Sequence, residues 1–296
     1  MVTEQSIRLL SGLTLYYVEQ GPANAMPVIL LHGFPDSLLS YEPVLAHLPI
    51  SVRAIALSQR GSGNSDKPAA GYHPRDLAAD LADFMRQRAI PRAVVVGHGM
   101  GALVAQSFAL DFPERVAGLA LIGTFRTQSD NAELAEIIGA LDEMTDPIDL
   151  GFVRAVQASS AARPLDEEFF ATVVAEGARL PIGIWRGAMR EVAAYDDFAQ
   201  LSRIAAPTIL YWGERDGFST YEQQQEIASQ ISGAELRVYA GAGHSLHWEE
   251  PKRFAADLAN FVGVLDRSRA ARRPLKGEFR RQTTEFSKHI AQERAE

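Results

Sequence analysis

Cysteine is absent from the 296-residue chain, and basic residues are scarce over most of its length. Without cysteine the protein forms no disulfide, offers a metal no thiolate ligand and has no cysteine nucleophile. No stretch approaches the ~20 consecutive apolar residues that span a bilayer, so we expect no membrane partner. The chain begins without a basic segment followed by an apolar run. Together with the lack of cysteine, this favours a cytoplasmic location.

The formal net charge is −8, which disfavours nucleic acid as a partner. The charge is unevenly distributed. Residues 267–296 contain nine Lys and Arg against four Asp and Glu, which leaves −13 for residues 1–266. This last segment lacks a sustained apolar face. We therefore expect a basic C-terminal tail, weakly packed or disordered, whose simplest role is that of a solvated extension.

A hydrophobic content of 47% and a charged content of 22% are typical of a globular protein. The first 125 residues alternate short apolar runs with helical patterns, and almost all the runs are apolar throughout. This alternation indicates a mostly parallel α/β sheet that is covered on both faces. The predicted strands are residues 7–10, 13–20, 28–31, 52–57, 94–96 and 116–122, and the predicted helices are 75–88 and 101–112.

From residue 126 to about 200 the sequence has helical patterns and no convincing strand, which predicts a helical cap over one edge of the sheet. The predicted organisation is therefore residues 1–125 and 201–266 as two parts of one α/β core, 126–200 as the inserted cap, and 267–296 as the tail. The cap helices are predicted at 133–141, 150–157, 167–176 and 182–192. The core resumes with strand 208–212, helix 221–231, strand 235–239 and helix 251–265.

Residues 97–101 (Gly-His-Gly-Met-Gly) join a predicted strand directly to a helix. A nucleophile elbow has this pattern: a sharp turn lifts one side chain above the sheet, and its flanking residues are small because strand and helix approach closely. The middle residue of an elbow has a strained, positive φ, which Gly99 adopts without penalty. Alone, the segment is equally compatible with a dinucleotide-binding or purely structural turn.

An acid and a histidine follow in two later loops. Asp216 lies beyond strand 208–212, and His244 lies in a glycine-rich loop beyond strand 235–239. Nucleophile, acid and histidine in this chain order form one known arrangement of a catalytic triad, in which the acid fixes the tautomer of the histidine. Taken alone, Asp216 is as compatible with a role in a turn or helix cap as with a place in a triad. A histidine taken alone is likewise compatible with a surface or core position. Their order after the elbow favours the triad.

Residues 32–35 (His-Gly-Phe-Pro) follow the first buried strand. The backbone N–H groups of Phe34 and Met100 are candidates for an oxyanion hole, which stabilises the negative charge that develops on a substrate oxygen. A tight turn at residues 32–35 is also compatible with this sequence, and the two interpretations do not exclude each other.

Residues 32–35, 59–68, 97–101, 212–216 and 243–251 together resemble the α/β-hydrolase superfamily, specifically bacterial single-domain esterases, lactonases and C–C hydrolases. The likeness spans residues 28–265, with a loose match in the cap. It implies a mostly parallel, doubly wound α/β sheet with an inserted helical cap, and a carboxylic ester, lactone or related carbonyl substrate. It also implies that residue 99 attacks the substrate, His244 moves the proton and Asp216 orients His244.

Gly99 departs from the family pattern, because the resemblance implies serine there, or aspartate in the dehalogenase and epoxide-hydrolase branches. Met100 stands where dehalogenases carry a halide-binding tryptophan. Tyr195 is the only tyrosine in residues 126–200, whereas epoxide hydrolases generally use two cap tyrosines. A serine is therefore the residue most plausibly missing, through engineering or natural loss. A second departure is Ser58, where relatives usually carry aspartate, and which we expect to alter local hydrogen bonding.

No other residue is a convincing substitute nucleophile. Ser107 lies about two turns into the following helix, Ser37 lies beyond the oxyanion loop, and His98 is expected to point away from the mouth of the site. Three functions thus stay open: an inactivated hydrolase, a non-catalytic small-molecule-binding protein, and a cofactor-free lyase or water-activating enzyme that uses His244 and Asp216.

The substrate is expected to be a small molecule with an apolar portion. His244 and His247 are three residues apart but no further ligand cluster accompanies them, so we predict no metal, and no motif points to a cofactor. The protein is expected to be a monomer or homodimer. Besides the catalytic positions, five residues are candidates for binding the substrate: His32, His98, Phe152, Trp185 and Trp248.

Overall fold

The computed structural model describes residues 3–129 and 131–271. Its eight strands form one mixed sheet in the order β1-β2-β4-β3-β5-β6-β7-β8. The first two pairings, β1 with β2 and β2 with β4, are antiparallel, and the others are parallel. The predicted mostly parallel sheet is confirmed. The strands are β1 Gln5–Arg8, β2 Thr14–Gln20, β3 Pro27–Leu31, β4 Arg53–Ser58, β5 Ala93–His98, β6 Val116–Ile122, β7 Thr208–Gly213 and β8 Glu235–Tyr239.

The strand order reverses at β3, since β4 lies on one side of it and β5 on the other. Every residue of β3 and β5 is buried, as expected for central parallel strands whose side chains are apolar. In the parallel register Leu31 pairs with Gly97, so the loop after β3 and the turn after β5 leave the sheet side by side. Ligands of open α/β sheets bind at such a switch point.

Helices cover the sheet and form the insertion between β6 and β7. In this insertion the described residues contain four α-helices and no strand, in the region predicted to be the cap. The α-helices are α1 Glu42–Leu45, α2 Pro74–Gln87, α3 Met100–Asp111, α4 Ala132–Glu143, α5 Leu150–Ser159, α6 Glu167–Ala178, α7 Ile182–Ala194, α8 Tyr221–Gln230, α9 Leu246–Glu249 and α10 Pro251–Ala271. Short 3-10 helices lie at Leu38–Tyr41, Pro113–Arg115 and Phe198–Arg203.

Helix α10 extends past the predicted end at residue 265 and includes Ala271, the last described residue. Residues 266–271 contain neither glycine nor proline, so nothing in them interrupts the helix. One compact unit of the chain ends at Val262 and a second begins at Gly263. The predicted basic tail of residues 267–296 therefore begins within α10, and its remainder from residue 272 lies outside the described residues.

Candidate active site

The turn between β5 and α3 has the backbone shape of a nucleophile elbow. Gly99 has φ +52° and ψ −117° and is the last residue before α3 begins at Met100. A side chain at Gly97 is excluded, because its Cβ atom would lie 2.1 Å from the carbonyl oxygen of Gly101. The two glycines therefore have different roles. Gly97 lets the strand and the helix approach each other closely, whereas Gly99 has a strained backbone conformation with space for a small side chain.

Asp216 and His244 form a hydrogen-bonded pair at the other side of the candidate site. The His244 Nδ1 atom lies 3.0 and 3.1 Å from the two carboxylate oxygens of Asp216. Asp216 also accepts hydrogen bonds from the backbone N–H groups of Phe218 and Ser219, and from the Ser219 hydroxyl. Because the carboxylate only accepts, His244 Nδ1 carries the proton and Nε2 has a free lone pair. A histidine in this tautomer is suited to act as a general base.

The lone pair of His244 points at the position that lacks a side chain. A Cβ atom built on Gly99 would lie 3.0 Å from His244 Nε2 and 3.9 Å from the Cα atom of Gly33. The first contact is tight by a few tenths of an ångström, which a small shift of the imidazole relieves. A hydroxyl on that Cβ would have His244 Nε2 as its nearest base.

The candidate oxyanion hole has donors that are not used by the protein. The backbone N–H groups of Phe34 and Met100 form no hydrogen bond with the described residues. Met100 is the first residue of α3, where a backbone N–H has no partner inside the helix. Both residues line the cavity above Gly99. These two N–H groups are therefore available to a substrate oxygen.

A cavity that opens to solvent lies between the loops at the strand ends and the helices after β6. Of the sequence-predicted site residues it is lined by Phe34, His98, Gly99, Met100, His244 and Trp248. Its other walls are mainly apolar and come from both core and insertion: Phe125, Leu134, Ile137, Val156, Met189, Val192 and Phe218. Such a cavity suits a small molecule with an apolar portion.

Three residues predicted to bind substrate, His32, Phe152 and Trp185, are not among the described residues that line this cavity. His32 is buried between backbone groups: its Nδ1–H donates to the Gly33 carbonyl oxygen, and its Nε2 accepts from the Gln59 N–H. Burial lowers the pKa of His32 to about 4, so it is neutral near pH 7. Its observed contacts are those of a residue that fixes the loop after β3.

Phe152 and Trp185 stack behind the cavity wall. The Trp185 ring is fully buried, meets Phe34 edge-on at 5.0 Å and lies 5.8 Å from Phe152, measured between ring centroids. Its Nε1–H donates to the Gly177 carbonyl oxygen. Trp185 thus packs against Phe34, and Phe152 packs against Trp185. The sequence pattern could not distinguish this packing from direct lining of the cavity.

Other hydroxyl groups are already engaged elsewhere. The Ser107 hydroxyl contacts the Tyr195 hydroxyl at 3.1 Å, and Ser37 caps the first 3-10 helix. Ser245 lines the cavity, but it is fully buried and its hydroxyl donates to Ser160. None of these three hydroxyls lies at the elbow.

The sequence analysis missed several polar residues on the cavity wall, namely Asp36, Gln128, Gln157, Ser160 and Ser245. The Gln157 side chain donates from Nε2 to Asp36 Oδ1 at 2.9 Å. One signal was present: Gln157 follows the buried Val153 by four residues and so shares its face of α5. A polar residue on a buried helix face indicates a polar partner, but not which one.

Ser58, the second departure from the family pattern, accepts a hydrogen bond from the backbone N–H of Leu38 at 3.1 Å. Its altered hydrogen bonding is thus local to the start of the first 3-10 helix. In residues 3–129 and 131–271 there is no group of three or more His, Asp or Glu placed to hold a metal ion. No helix in these same ranges is both long and apolar enough to cross a membrane.

Comparisons with known proteins match this architecture. The sequence profile described as alpha/beta hydrolase fold matches residues 26–251. "Putative carbamate hydrolase RutD" of Variovorax paradoxus is 32% identical over 266 residues, which are 84% of this chain and 96% of that protein. Epoxide hydrolase 1 of Caenorhabditis elegans is 24% identical over 282 residues, 86% of this chain and 69% of that protein. An esterase structure from Exiguobacterium antarcticum has a TM-score of 0.80 at 22% identity, covering 89% of this chain and 100% of that one.

Proposed function

Because the chain belongs to the alpha/beta hydrolase fold family, we propose that it binds a carboxylic ester, lactone or related carbonyl compound at a hydrolase site that lacks only its nucleophile. The observation that carries this proposal is the 3.0 Å distance between His244 Nε2 and the Cβ position of residue 99. The pair His244–Asp216 is assembled around a position that has no side chain. As it stands, the chain is expected to hydrolyse such substrates little or not at all.

Serine is the proposed missing residue rather than aspartate. An epoxide hydrolase is among the relatives, and the epoxide-hydrolase branch of the superfamily uses an aspartate nucleophile together with cap tyrosines. No tyrosine is among the described cavity-lining residues, and the hydroxyl of Tyr195, the tyrosine of the insertion, contacts Ser107. The ring-protonating tyrosines of the epoxide-hydrolase branch thus have no counterpart here, while the unused N–H groups of Phe34 and Met100 suit a carbonyl substrate.

The test is hydrolysis of p-nitrophenyl butyrate by the original chain, by Gly99→Ser and by Gly99→Ala. We expect Gly99→Ser to raise kcat at least about 10³-fold, because it restores a triad member. The alanine variant is the matched control, since it adds the same Cβ atom without the hydroxyl, and it should stay at the original level. If the serine variant folds, as judged by circular dichroism, and is also inactive, the proposal of a hydrolase site that lacks only its nucleophile is wrong.

A second candidate function is proton abstraction by His244 without a covalent intermediate, as in a lyase or a water-activating enzyme. It is favoured by the free Nε2 lone pair, which no group of the described protein occupies and which faces the cavity. This function predicts activity in the original chain that His244→Gln abolishes. Exchange of substrate C–H hydrogens in D₂O, followed by NMR, distinguishes it from a protein that only binds its ligand.

A further inference from the structure

The cavity contains a second polar group that the proposed hydrolytic chemistry does not use. Asp36 is 2% exposed and lines the cavity from the loop after β3. Its Oδ1 atom accepts the hydrogen bond from Gln157. Its Oδ2 atom has no hydrogen bond within the described chain, and the nearest cationic or ionisable nitrogen is His98 Nδ1 at 4.0 Å. A buried carboxylate with a free oxygen requires a partner that donates a hydrogen bond.

His98 lies beside this carboxylate. The His98 Nε2 atom lies 3.4 Å from the Ser245 hydroxyl, which itself donates to Ser160. Nε2 therefore carries the proton and Nδ1 is an acceptor. Burial and the neighbouring histidines hold the pKa of His98 well below its usual range, so the ring is neutral. The Nδ1 atom has almost no accessible surface and no hydrogen-bond partner. His98 therefore provides neither a positive charge nor a donor to Asp36 Oδ2, which lies 4.0 Å away.

The charges of the lining residues indicate which ligand the free Asp36 oxygen favours. No Lys or Arg is among the described lining residues, and Asp36 is the only acid among them. This wall favours a cation and disfavours an anion.

We propose that Asp36 determines specificity at this site and that the natural ligand carries a protonated primary amine, held by Asp36 Oδ2. The apolar part of the ligand then lies along Val156, Met189 and Phe218. This inference rests on the proposed function, because it places the amine on the compound whose carbonyl group lies near Gly99. It narrows the substrate class to amino esters, amino lactones and related amine-bearing carbonyl compounds.

Isothermal titration calorimetry of the full chain at pH 8 with 4-phenylbutylamine, 4-phenylbutanol and 4-phenylbutanoate tests the proposal. The three probes share one apolar body and differ in the end group. The amine should bind at least about tenfold more tightly than the alcohol, and the carboxylate more weakly than both. The Asp36→Asn variant keeps the shape of the side chain and the acceptor for Gln157, so it should lose the preference for the amine. Its affinity for the alcohol should change less than about twofold.

The matched control is Glu136→Gln, which removes one negative charge from an exposed position of α4. It should leave all three affinities unchanged. Equal affinity of the original chain for amine and alcohol overturns the inference, and so does an equal loss of both in Asp36→Asn, which would indicate a structural role. Failure of all three probes to bind instead contradicts the small-molecule site of the proposed function itself.

The pH dependence of amine binding provides a readout that a structural role does not affect. Burial raises the pKa of Asp36 to about 7, so its charge is lost as the pH falls through that value. Amine affinity should therefore decrease from pH 8 to pH 6 in the original chain and stay constant in Asp36→Asn. The titratable groups that face Asp36 are His98 on β5, His244 in the loop after β8, Glu176 on α6 and Tyr41 at the end of the first 3-10 helix. A flat profile in the original chain contradicts the assignment.

Discussion

The candidate site has two halves, the His244–Asp216 pair (the base half) and the turn between β5 and α3 (the elbow half), and different parts of the chain build them. On one side, Asp216 and His244 are held by several hydrogen bonds that fix both the ring and its tautomer. On the other side, the elbow keeps its backbone conformation at Gly99 but presents no functional group. The His244–Asp216 pair is thus built by side chains, whereas the elbow is built by the backbone. Neither half needs a side chain at position 99 for its fold, so each half can be tested alone.

The largest expected effect comes from the base half once a nucleophile is present. In the Gly99→Ser background, His244→Gln should lower kcat for p-nitrophenyl butyrate by a factor on the order of 10⁵–10⁶, because no other base lies beside position 99. The exposed His47 offers a matched control, since His47→Gln should leave kcat unchanged. If His244→Gln lowers kcat less than about tenfold in this background, His244 does not act as the base for the hydroxyl at position 99.

Replacement of the acid should have a smaller effect. In the same background Asp216→Asn should lower kcat about 10⁴-fold, because an amide can donate to His244 Nδ1 and so favour the tautomer in which Nε2 is protonated. Ser219→Ala removes one of the hydrogen bonds to Asp216 and should cost less than about tenfold. Stopped assays at pH 8 give both values. Equal effects of the two variants would contradict the role of tautomer control.

The two glycines of the elbow half should differ in how much their replacement by alanine lowers the free energy of unfolding. Gly97→Ala places a Cβ atom 2.1 Å from a backbone oxygen, so we expect a loss of at least about 3 kcal/mol in the free energy of unfolding. Gly99→Ala meets only the His244 ring, and its positive φ should cost about 1–2 kcal/mol. Urea denaturation followed by circular dichroism measures both. If Gly99→Ala is the more destabilising, position 99 is not built to carry a side chain.

The smallest effect concerns Asp36, which belongs to neither half. Its folded-state pKa of about 7 lies above the ordinary value of 3.8. The folded state therefore binds the proton more tightly, and this contribution to stability is complete below pH 3.8 and lost as the pH rises through 7. Between pH 5 and pH 8 the original chain should lose about 2–3 kcal/mol more than Asp36→Asn. Parallel pH profiles of the two chains in urea denaturation would contradict the burial of this charge.

Most of the fold could be predicted from periodicity, because buried parallel strands are almost wholly apolar and most helices have a distinct apolar face. Strand β6, residues Val116–Ile122, and strand β8, residues Glu235–Tyr239, have the predicted bounds. The short helices α1 and α9 were not predicted, since four residues give too few positions for a helical pattern. Helix α10 was predicted too short because the apolar pattern faded before any residue that ends a helix.

The candidate site was predictable where it depends on chain order and loop position, as for Gly99, Asp216 and His244. It was not predictable where it depends on packing between distant elements. Phe152 and Trp185 have the same apolar character as residues that line the cavity, and only the tertiary structure shows that Trp185 packs against Phe34 and Phe152 against Trp185. Asp36 was missed because its partner Gln157 lies 121 residues away along the chain.

The central claim, that the site lacks only its nucleophile, is tested most directly by labelling with a fluorophosphonate, which reacts with serines activated by a histidine. Intact-mass and peptide mass spectrometry should show one adduct at position 99 in Gly99→Ser, none in Gly99→Ser combined with His244→Gln, and none in the original chain. Absence of labelling in a folded Gly99→Ser variant would contradict the claim. So would an adduct in the original chain, for example at Ser245, because the protein would then already possess a nucleophile.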